Sequence, residues 1–188
     1  PCLALPGAQG CNLEAEIIDA RQGAATDYQR LGPAVAGKFV LVSSDGPSRG
    51  EKYQGAIEAG ASAFIFSNVQ PGMLALTGSI DKALPAIGLA YEYAARIKRL
   101  LATGAVHARL SIATRVQTVT ARNIIAEIPG SDPEEGWILA GGHYDGHDIA
   151  QGAQDNAAGT IALMEAARLL SPLRTHLKAG IRFVLFSG

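Results

Sequence analysis

The sequence lacks several features that define common protein classes. Its net charge is only -1 and its pI about 6.5, so it has no basic excess of the kind that nucleic-acid-binding domains carry, and we expect no nucleic-acid partner. No apolar run reaches the roughly 18 residues of a membrane span. Aromatic residues make up only 6%, whereas glycine and alanine are abundant. This mixture favours close-packed α/β layers over a coiled coil.

The chain has only two cysteines, Cys2 and Cys11, and both lie in its first eleven residues. They could close one small disulfide loop or remain free thiols, and the sequence leaves both alternatives open. A bridge would favour an oxidising compartment. The spacing does not match a zinc motif, because no further Cys or His lies nearby. The chain begins at Pro1 and lacks the basic and apolar regions of a signal peptide. A mature protein from which a signal peptide had been removed would look the same.

The remaining composition suits a folded protein, since 48% of its 188 residues are hydrophobic and 18% are charged. Residues 38–43 (KFVLVS) and 63–67 (AFIFS) are predicted to be buried strands. A helix is predicted between them over 50–59, with Gly60 as its stop, which makes a βαβ unit. The pattern continues with a short strand, a helix and an alternating strand over 85–89, 91–101 and 106–119.

The pattern changes after Arg122, where further strands and one buried helix are predicted over 123–128, 137–141, 156–170 and 181–186. The last of these strands (IRFVLF) is continuously apolar, which is typical of a strand buried on both faces of a sheet. Such a strand should have a neighbour and a following helix. We therefore expect the chain to be a fragment or a truncated form of a larger α/β protein. Strand edges exposed near the C-terminus of such a fragment would favour its self-association.

The chemically informative residues lie around the second of these strands. His143 directly follows the predicted strand, at the carboxyl end where open α/β sheets bind ligands. Asp145 could accept the second ring N–H of a metal-bound imidazole. Asp155 lies at the mouth of the next helix, from where its side chain could point into the same crevice. One imidazole and one carboxylate are the beginning of a zinc site, which needs three or four ligands.

Each of these residues has a simpler interpretation. His143 could be an ordinary polar residue, and Asp155 or Asn156 could serve as the N-cap of the helix that follows. His147 is four residues after His143, a spacing that would suit a metal on a helix. The surrounding glycines indicate a loop, so we do not include His147 among the ligands.

The motifs GGHYD, QDNAAGT and FVLFSG follow one another along the chain. Together they resemble the motifs of the co-catalytic zinc aminopeptidases of clan MH. The phrase RNIIAEIPGSDP resembles the strand and turn that open their catalytic domain. Upstream, AGKFVLVSSDGPSRGEKYQGAIEAGASAFIFSN followed by LPAIGLAYEYAARI resembles a protease-associated (PA) domain. The resemblance extends over residues 35–188 and rests on several separate elements that match in order.

The resemblance implies an α/β fold. Its first part would be a PA domain, a β-rich sheet or barrel with two helices. Its second part would be the first strands and helix of an α/β/α zinc-exopeptidase domain that is truncated. We accordingly divide the chain into an N-terminal segment (1–34), a PA domain (35–119) and an incomplete catalytic domain (120–188).

The resemblance also implies roles for single residues. His143 would bind one zinc ion, Asp155 would bridge two, and Asp145 would be the catalytic carboxylate that orients His143. The family carries a Glu-Glu pair, a general base and a zinc ligand, after a strand such as FVLFSG, and this pair would begin after Gly188. Two zinc ions about 3.5–4 Å apart would share a water in the complete site. The expected activity of the parent enzyme is release of N-terminal amino acids from peptides, with no catalysis by this chain alone.

Other functions remain open at this point. The rival hypothesis is a non-catalytic PA-type binding or scaffold protein that keeps the peptidase fold, and a carboxypeptidase or a cyclase-like acyl transferase could use the same metal frame. The polar PA residues are either partner contacts or caps and solvated surface: Asp45, Arg49, Glu51 and Lys52. We expect a secreted or periplasmic location from the family's habit of export and from the two cysteines.

Overall fold

The computed structural model describes residues 2–80, 83–115, 117–147 and 150–187. Gly188, the last residue of the FVLFSG motif, lies outside these described residues. The chain forms two compact units, residues 1–116 and 117–188, which are considered separately below. In the described part of the chain, no helix combines the length and apolarity needed to cross a membrane.

The first unit is built on a six-stranded sheet with the strand order β1-β5-β4-β3-β2-β6. Its strands are β1 (Cys2–Ala4), β2 (Cys11–Asp19), β3 (Phe39–Ser43), β4 (Ala63–Ser67), β5 (Ala86–Leu89) and β6 (Val106–Ile112). The four strands β2 to β5 run parallel, whereas β1 and β6 pair antiparallel at the two edges. Helices are α1 (Ala25–Leu31), α2 (Arg49–Glu58) and α3 (Tyr91–Leu101), with a short 3-10 helix at Gly32–Val35.

The sheet is covered on both faces, which explains the unbroken apolar runs of its central strands. Side chains alternate along a strand, so Val40 and Val42 of β3 join the core that contains Tyr28 of α1 and Tyr53 of α2. Phe39 and Leu41 of β3 join the opposite core, which contains Ala94 of α3. Residues 39–42 of β3 are therefore apolar on both faces of the sheet.

The predicted βαβ unit is confirmed, because β3 and β4 pair in parallel with Phe39 opposite Ala63 and are joined by α2. Gly60 ends this helix with a positive φ of 74°. Its backbone N–H donates to the carbonyl of Ile57, and the N–H of Ala61 donates to that of Ala56. These two bonds satisfy carbonyls left open at the end of the helix.

The N-terminal segment, for which the sequence predicted no helix or strand, forms the two strands β1 and β2 and the helix α1. In β2, Leu13, Ala15 and Ile17 face the core while Glu14 and Glu16 are directed outward. This alternation is a strand signal that the sequence already contains. The predicted strand over 106–119 is shorter than expected and ends at Ile112.

Lys52 is not the surface residue that the sequence suggested. Its side chain is fully buried, and its ammonium donates hydrogen bonds to the backbone carbonyls of Ser43 and Asp45. The ammonium also lies 5.8 Å from the ring centroid of Phe66. Burial lowers the pKa of Lys52, while the negative charge of Asp45 opposes this shift. Lys52 thus ties helix α2 to the turn that follows β3.

The two cysteines are free thiols, so the disulfide alternative is not realised. Cys2 lies on β1 opposite Leu89 of β5, and Cys11 lies on β2 opposite Ile112 of β6. The cysteines therefore give no support to an oxidising compartment, and export stays a prediction from the family resemblance.

The second unit has a three-stranded sheet with the order β7-β9-β8. Its elements are β7 (Ile124–Ile128), β8 (Trp137–His143), α4 (Gly159–Leu170) and β9 (Gly180–Phe186), with 3-10 turns at Pro133–Glu135 and Ser171–His176. Strand β9 is central, parallel to β8 and antiparallel to β7. The expected mixed α/β class is confirmed in both units.

Helix α4 packs on one face of this sheet, where Leu163, Ala167 and Leu170 contact a small core that includes Ile181 and Phe183. The prediction of a well-buried helix is wrong for its other side. Ile161 and Met164 are 64% and 61% exposed, because the small core reaches only one stripe of the helix.

The start of α2 offers a test of how the first unit is stabilised. Ser48 Oγ accepts a hydrogen bond from the backbone N–H of Glu51 at 3.3 Å, and Glu51 Oε2 accepts one from the N–H of Ser48 at 2.8 Å. We predict that Ser48→Ala lowers the free energy of unfolding by about 1 kcal/mol, because an N-cap acceptor is lost. Urea unfolding followed by circular dichroism measures this. Ser111→Ala, on the exposed face of β6, is the control, and equal midpoints for the two variants would contradict the prediction.

Candidate metal centre

The candidate site lies where two parallel strands end. Strand β8 runs to His143, two residues beyond the predicted end, and His143 lies opposite Phe186 of β9. Because the strands are parallel, their carboxyl ends meet at one edge of the sheet. The chain then turns through Tyr144, whose backbone N–H donates to the carbonyl of Phe186 at 2.9 Å. This bond keeps the exit of β8 attached to the end of β9.

The imidazole of His143 lies between two carboxylates. Its Nδ1 is 3.0 Å from Oδ1 of Asp145, and its Nε2 is 3.0 Å from Oδ1 of Asp155. The side chains are 45%, 43% and 75% exposed in the order His143, Asp145 and Asp155. The structure therefore brings the three predicted site residues together at a surface that solvent can reach.

Asp155 reaches His143 because the chain before α4 is not a regular helix. Residues 153–158 form an irregular turn, in which Asp155 has φ -118° and ψ 91° and Asn156 has φ -133° and ψ 37°. Their peptide bond is cis. The N-cap of α4 is Ala158, which has no side-chain cap. The alternative that Asp155 or Asn156 caps this helix is therefore wrong, and the Asp155 carboxylate is directed to His143 instead.

The two carboxylates change the proton affinity of His143. The hydrogen bond with the side chain of Asp145 raises the pKa of His143 above its ordinary value, and the negative charge of Asp155 adds to this. A raised pKa means that the protonated ring stabilises the folded state below the ordinary histidine pKa. This contribution is lost as the pH rises through the raised value. It is small, because the side chains are exposed.

The donor atoms suit zinc. Imidazole nitrogen and carboxylate oxygen are both zinc ligands, and they are provided here by Nε2 of His143 and Oδ1 of Asp155 at a mutual distance of 3.0 Å. A hydrogen bond from Nδ1 to Asp145 leaves Nε2 free to bind a metal once its proton is released. Within residues 2–80, 83–115, 117–147 and 150–187, no group of three or more His, Cys, Asp or Glu side chains could hold a metal. The described residues thus bring two candidate donors together, fewer than a zinc site needs.

An open cavity of about 430 Å³ adjoins this centre. His147 lines it together with Asp145, Asn156 and Thr160. Sequence reasoning missed the contacts that Asn156 and Thr160 make. Asn156 Nδ2 donates to the main-chain carbonyl of His143 at 2.9 Å, and Thr160 Oγ1 donates to the same oxygen at 3.2 Å. Their only sequence signal is that both lie within the QDNAAGT motif.

Comparison with known proteins gives two family matches. Residues 2–97 match the PA domain, and residues 123–188 match peptidase family M28. Two of the candidate donors, His143 and Asp155, fall within the second match.

Curated relatives match most of this chain. Leucine aminopeptidase 2 of Trichophyton rubrum is 35% identical over 179 residues, which is 93% of this chain and 35% of the relative. Probable leucine aminopeptidase 2 of Trichophyton verrucosum is 35% identical over 178 residues, with the same coverage. Carboxypeptidase Q of Xenopus laevis is 28% identical over 172 residues, or 81% of this chain and 36% of the relative. The chain therefore spans about a third of the length of these relatives.

Solved structures are similar over the whole chain. An aminopeptidase from Aneurinibacillus sp. strain AM-1 matches with a TM-score of 0.73 and 26% identity, covering 100% of this chain and 46% of that structure. A zinc aminopeptidase from Bacillus subtilis matches with a TM-score of 0.77 and 25% identity, covering 100% and 45%. The expected fold class, a PA domain followed by the first elements of a zinc-exopeptidase domain, is thereby confirmed.

The proton affinity of His143 can be tested directly. We predict that Asp145→Asn lowers the pKa of His143 in the metal-free chain, because an amide does not favour the imidazolium as a carboxylate does. The titration of the His143 ring protons by NMR measures this. Asp132→Asn is the matched control. The Asp132 carboxylate lies in another turn, where it accepts a hydrogen bond from the backbone N–H of Glu134. If the pKa of His143 is the same in both variants, the Asp145 carboxylate does not raise it and the prediction is wrong.

Proposed function

We propose that the whole protein is a zinc-dependent aminopeptidase, because residues 123–188 match peptidase family M28 and residues 2–97 match the PA domain. The names of the relatives support this, since the fungal proteins are leucine aminopeptidases and the similar Bacillus subtilis structure is a zinc aminopeptidase. The observation that carries the proposal is the position of His143, whose two ring nitrogens each lie 3.0 Å from a carboxylate oxygen.

We assign the metal contacts to two residues of this chain. His143 would hold zinc through Nε2, and Asp155 would hold it through its carboxylate. Asp145 holds the proton on Nδ1 and so keeps the ring in the tautomer that binds metal. Zinc, when bound, supplies a Lewis acid that polarises a carbonyl and lowers the pKa of water toward about 7.

We further propose that Asp155 is shared between two zinc ions. A carboxylate has two oxygens, and Oδ1 of Asp155 faces His143 at 3.0 Å. Asp155 would therefore help to hold both ions. Its side chain is 75% exposed and lies before α4, outside the regular helix, which leaves it accessible to solvent.

We propose peptides with a free N-terminus as the substrates. The fungal aminopeptidases are 35% identical to this chain, whereas the Xenopus laevis carboxypeptidase Q is 28% identical. This difference favours the aminopeptidase over the carboxypeptidase alternative. A leucyl chromogenic peptide analogue is the first substrate to test, because the fungal relatives are leucine aminopeptidases.

The 188-residue chain alone is proposed to be inactive. Zinc needs three or four ligands, and the described residues bring two donors together. We expect the isolated chain to bind zinc weakly and to leave the leucyl substrate unhydrolysed when zinc is added. Hydrolysis by the isolated chain at an enzyme-like rate would contradict this assignment.

The main prediction concerns the whole protein. A chelator should abolish hydrolysis of leucyl-p-nitroanilide, and zinc should restore it. His143→Ala should lower kcat/KM by at least about 100-fold, because losing a ligand costs more than the 10–100-fold typical of an outer partner. Steady-state kinetics at saturating zinc measure this change.

His176→Ala is the matched control, because His176 is an exposed histidine in the same unit, in the 3-10 turn after α4. Activity that survives chelation would overturn the zinc requirement. Equal activity of His143→Ala and His176→Ala would overturn the role of His143. A wild-type protein that neither binds zinc nor hydrolyses the substrate would instead favour the non-catalytic scaffold.

A further inference from the structure

The main-chain carbonyl of His143 is held by two side chains, one from the irregular turn before α4 and one from the first turn of α4. Asn156 Nδ2 donates to it at 2.9 Å and Thr160 Oγ1 at 3.2 Å. The backbone of His143 is therefore attached to the same segment that carries Asp155.

This carbonyl needs such partners because of its direction. The peptide bond between His143 and Tyr144 is planar and trans, so its C=O and N–H point in opposite directions. The N–H of Tyr144 donates to Phe186 of β9. The carbonyl of His143 consequently points away from β9, toward the edge of β8 where the described residues add no further strand. Asn156 and Thr160 satisfy a backbone acceptor that the sheet leaves open.

The side chain of Asn156 occupies a narrow slot. A Cβ atom at position 159 would lie 2.3 Å from Oδ1 of Asn156, and one at position 142 would lie 3.2 Å from its Nδ2. Glycine at 159 is therefore required for the amide to fit, and glycine at 142 avoids a tight contact. The slot holds the amide between the end of β8 and the first turn of α4.

We propose that Asn156, assisted by Thr160, is a positioning residue that sets the distance between the two metal donors, His143 and Asp155. The inference rests on the proposed function, because it assigns these two residues to the metal. Asn156 directly follows Asp155 in the chain, and its amide grips the backbone of His143. The side chain of Asp155 reaches the ring of His143 from the same turn. Both contacts, from the Asn156 amide and from the Asp155 carboxylate, join the turn before α4 to His143 at the end of β8. The amide contact therefore limits how far the carboxylate can move from the ring.

The experiment measures zinc affinity of the whole protein by competition with a chromogenic chelator. Asn156→Ala should weaken zinc binding by about 10- to 100-fold, the range found when partners that orient metal ligands are removed. Thr160→Val keeps the shape of the side chain but loses the hydroxyl, and should weaken binding in the same direction. Thr160→Ser restores the hydroxyl and should return the affinity to within about threefold of wild type, which loss of packing alone would not do.

Thr175→Val is the matched control, since Thr175 is exposed in the 3-10 turn after α4. Thermal unfolding of each zinc-free variant shows whether it is folded. If Asn156→Ala does not fold, the comparison of Thr160→Val with Thr160→Ser decides the question. Zinc affinities of the folded variants within twofold of Thr175→Val would overturn the positioning role and leave the proposed function intact. A wild-type protein that does not bind zinc would overturn the proposed function, and this inference with it.

Discussion

The candidate site depends on one interaction, the placement of the His143 ring between Asp145 and Asp155 at 3.0 Å on either side. Asp145 lies in the loop after β8, whereas Asp155 comes from the turn before α4. The ring therefore joins a strand end to a helix start. A metal ligand needs a fixed tautomer and an exposed nitrogen, and this placement supplies the first through Asp145 and the second at Nε2.

The surrounding backbone explains how these two segments meet so closely. The parallel pairing of β8 with β9 brings His143 to the carboxyl edge of the sheet. The non-helical angles of Asp155 and Asn156 delay the start of α4 until after Ala158. A regular helix beginning at 156 would give Asp155 the usual role of an N-cap acceptor. The irregular turn instead leaves its carboxylate for His143 and the Asn156 amide for the backbone.

The elements that alternating or continuous apolar patterns define could be predicted from the sequence. The pair β3 and β4 with α2 between them is an example, since β3 and β4 are buried throughout and Gly60 ends the helix. The early strand β2 was missed although its residues alternate, because glycine and proline around it obscured the pattern. The burial of Lys52 could not be predicted, since its partners are backbone carbonyls that only the fold assembles.

The candidate site could be predicted from the sequence only in part. The order of His143, Asp145 and Asp155 along the chain indicated a shared crevice, and the side chains do meet there. Their roles as ligands remain a prediction. The function of Asn156 could not be read from the sequence, because an asparagine before a helix predicts a cap. Its partner, the carbonyl of His143, is available because the described residues add no further strand to that edge of β8.

The most direct test of the central claim is the proton and metal state of the His143 ring in the whole protein. Long-range proton–nitrogen NMR correlations, assigned by their absence in a variant without His143, report each ring nitrogen separately. We predict that zinc shifts the Nε2 resonance to the metal-bound range while Nδ1 stays protonated beside Asp145. A His143 ring that zinc leaves unchanged, or that binds zinc through Nδ1, would contradict this assignment.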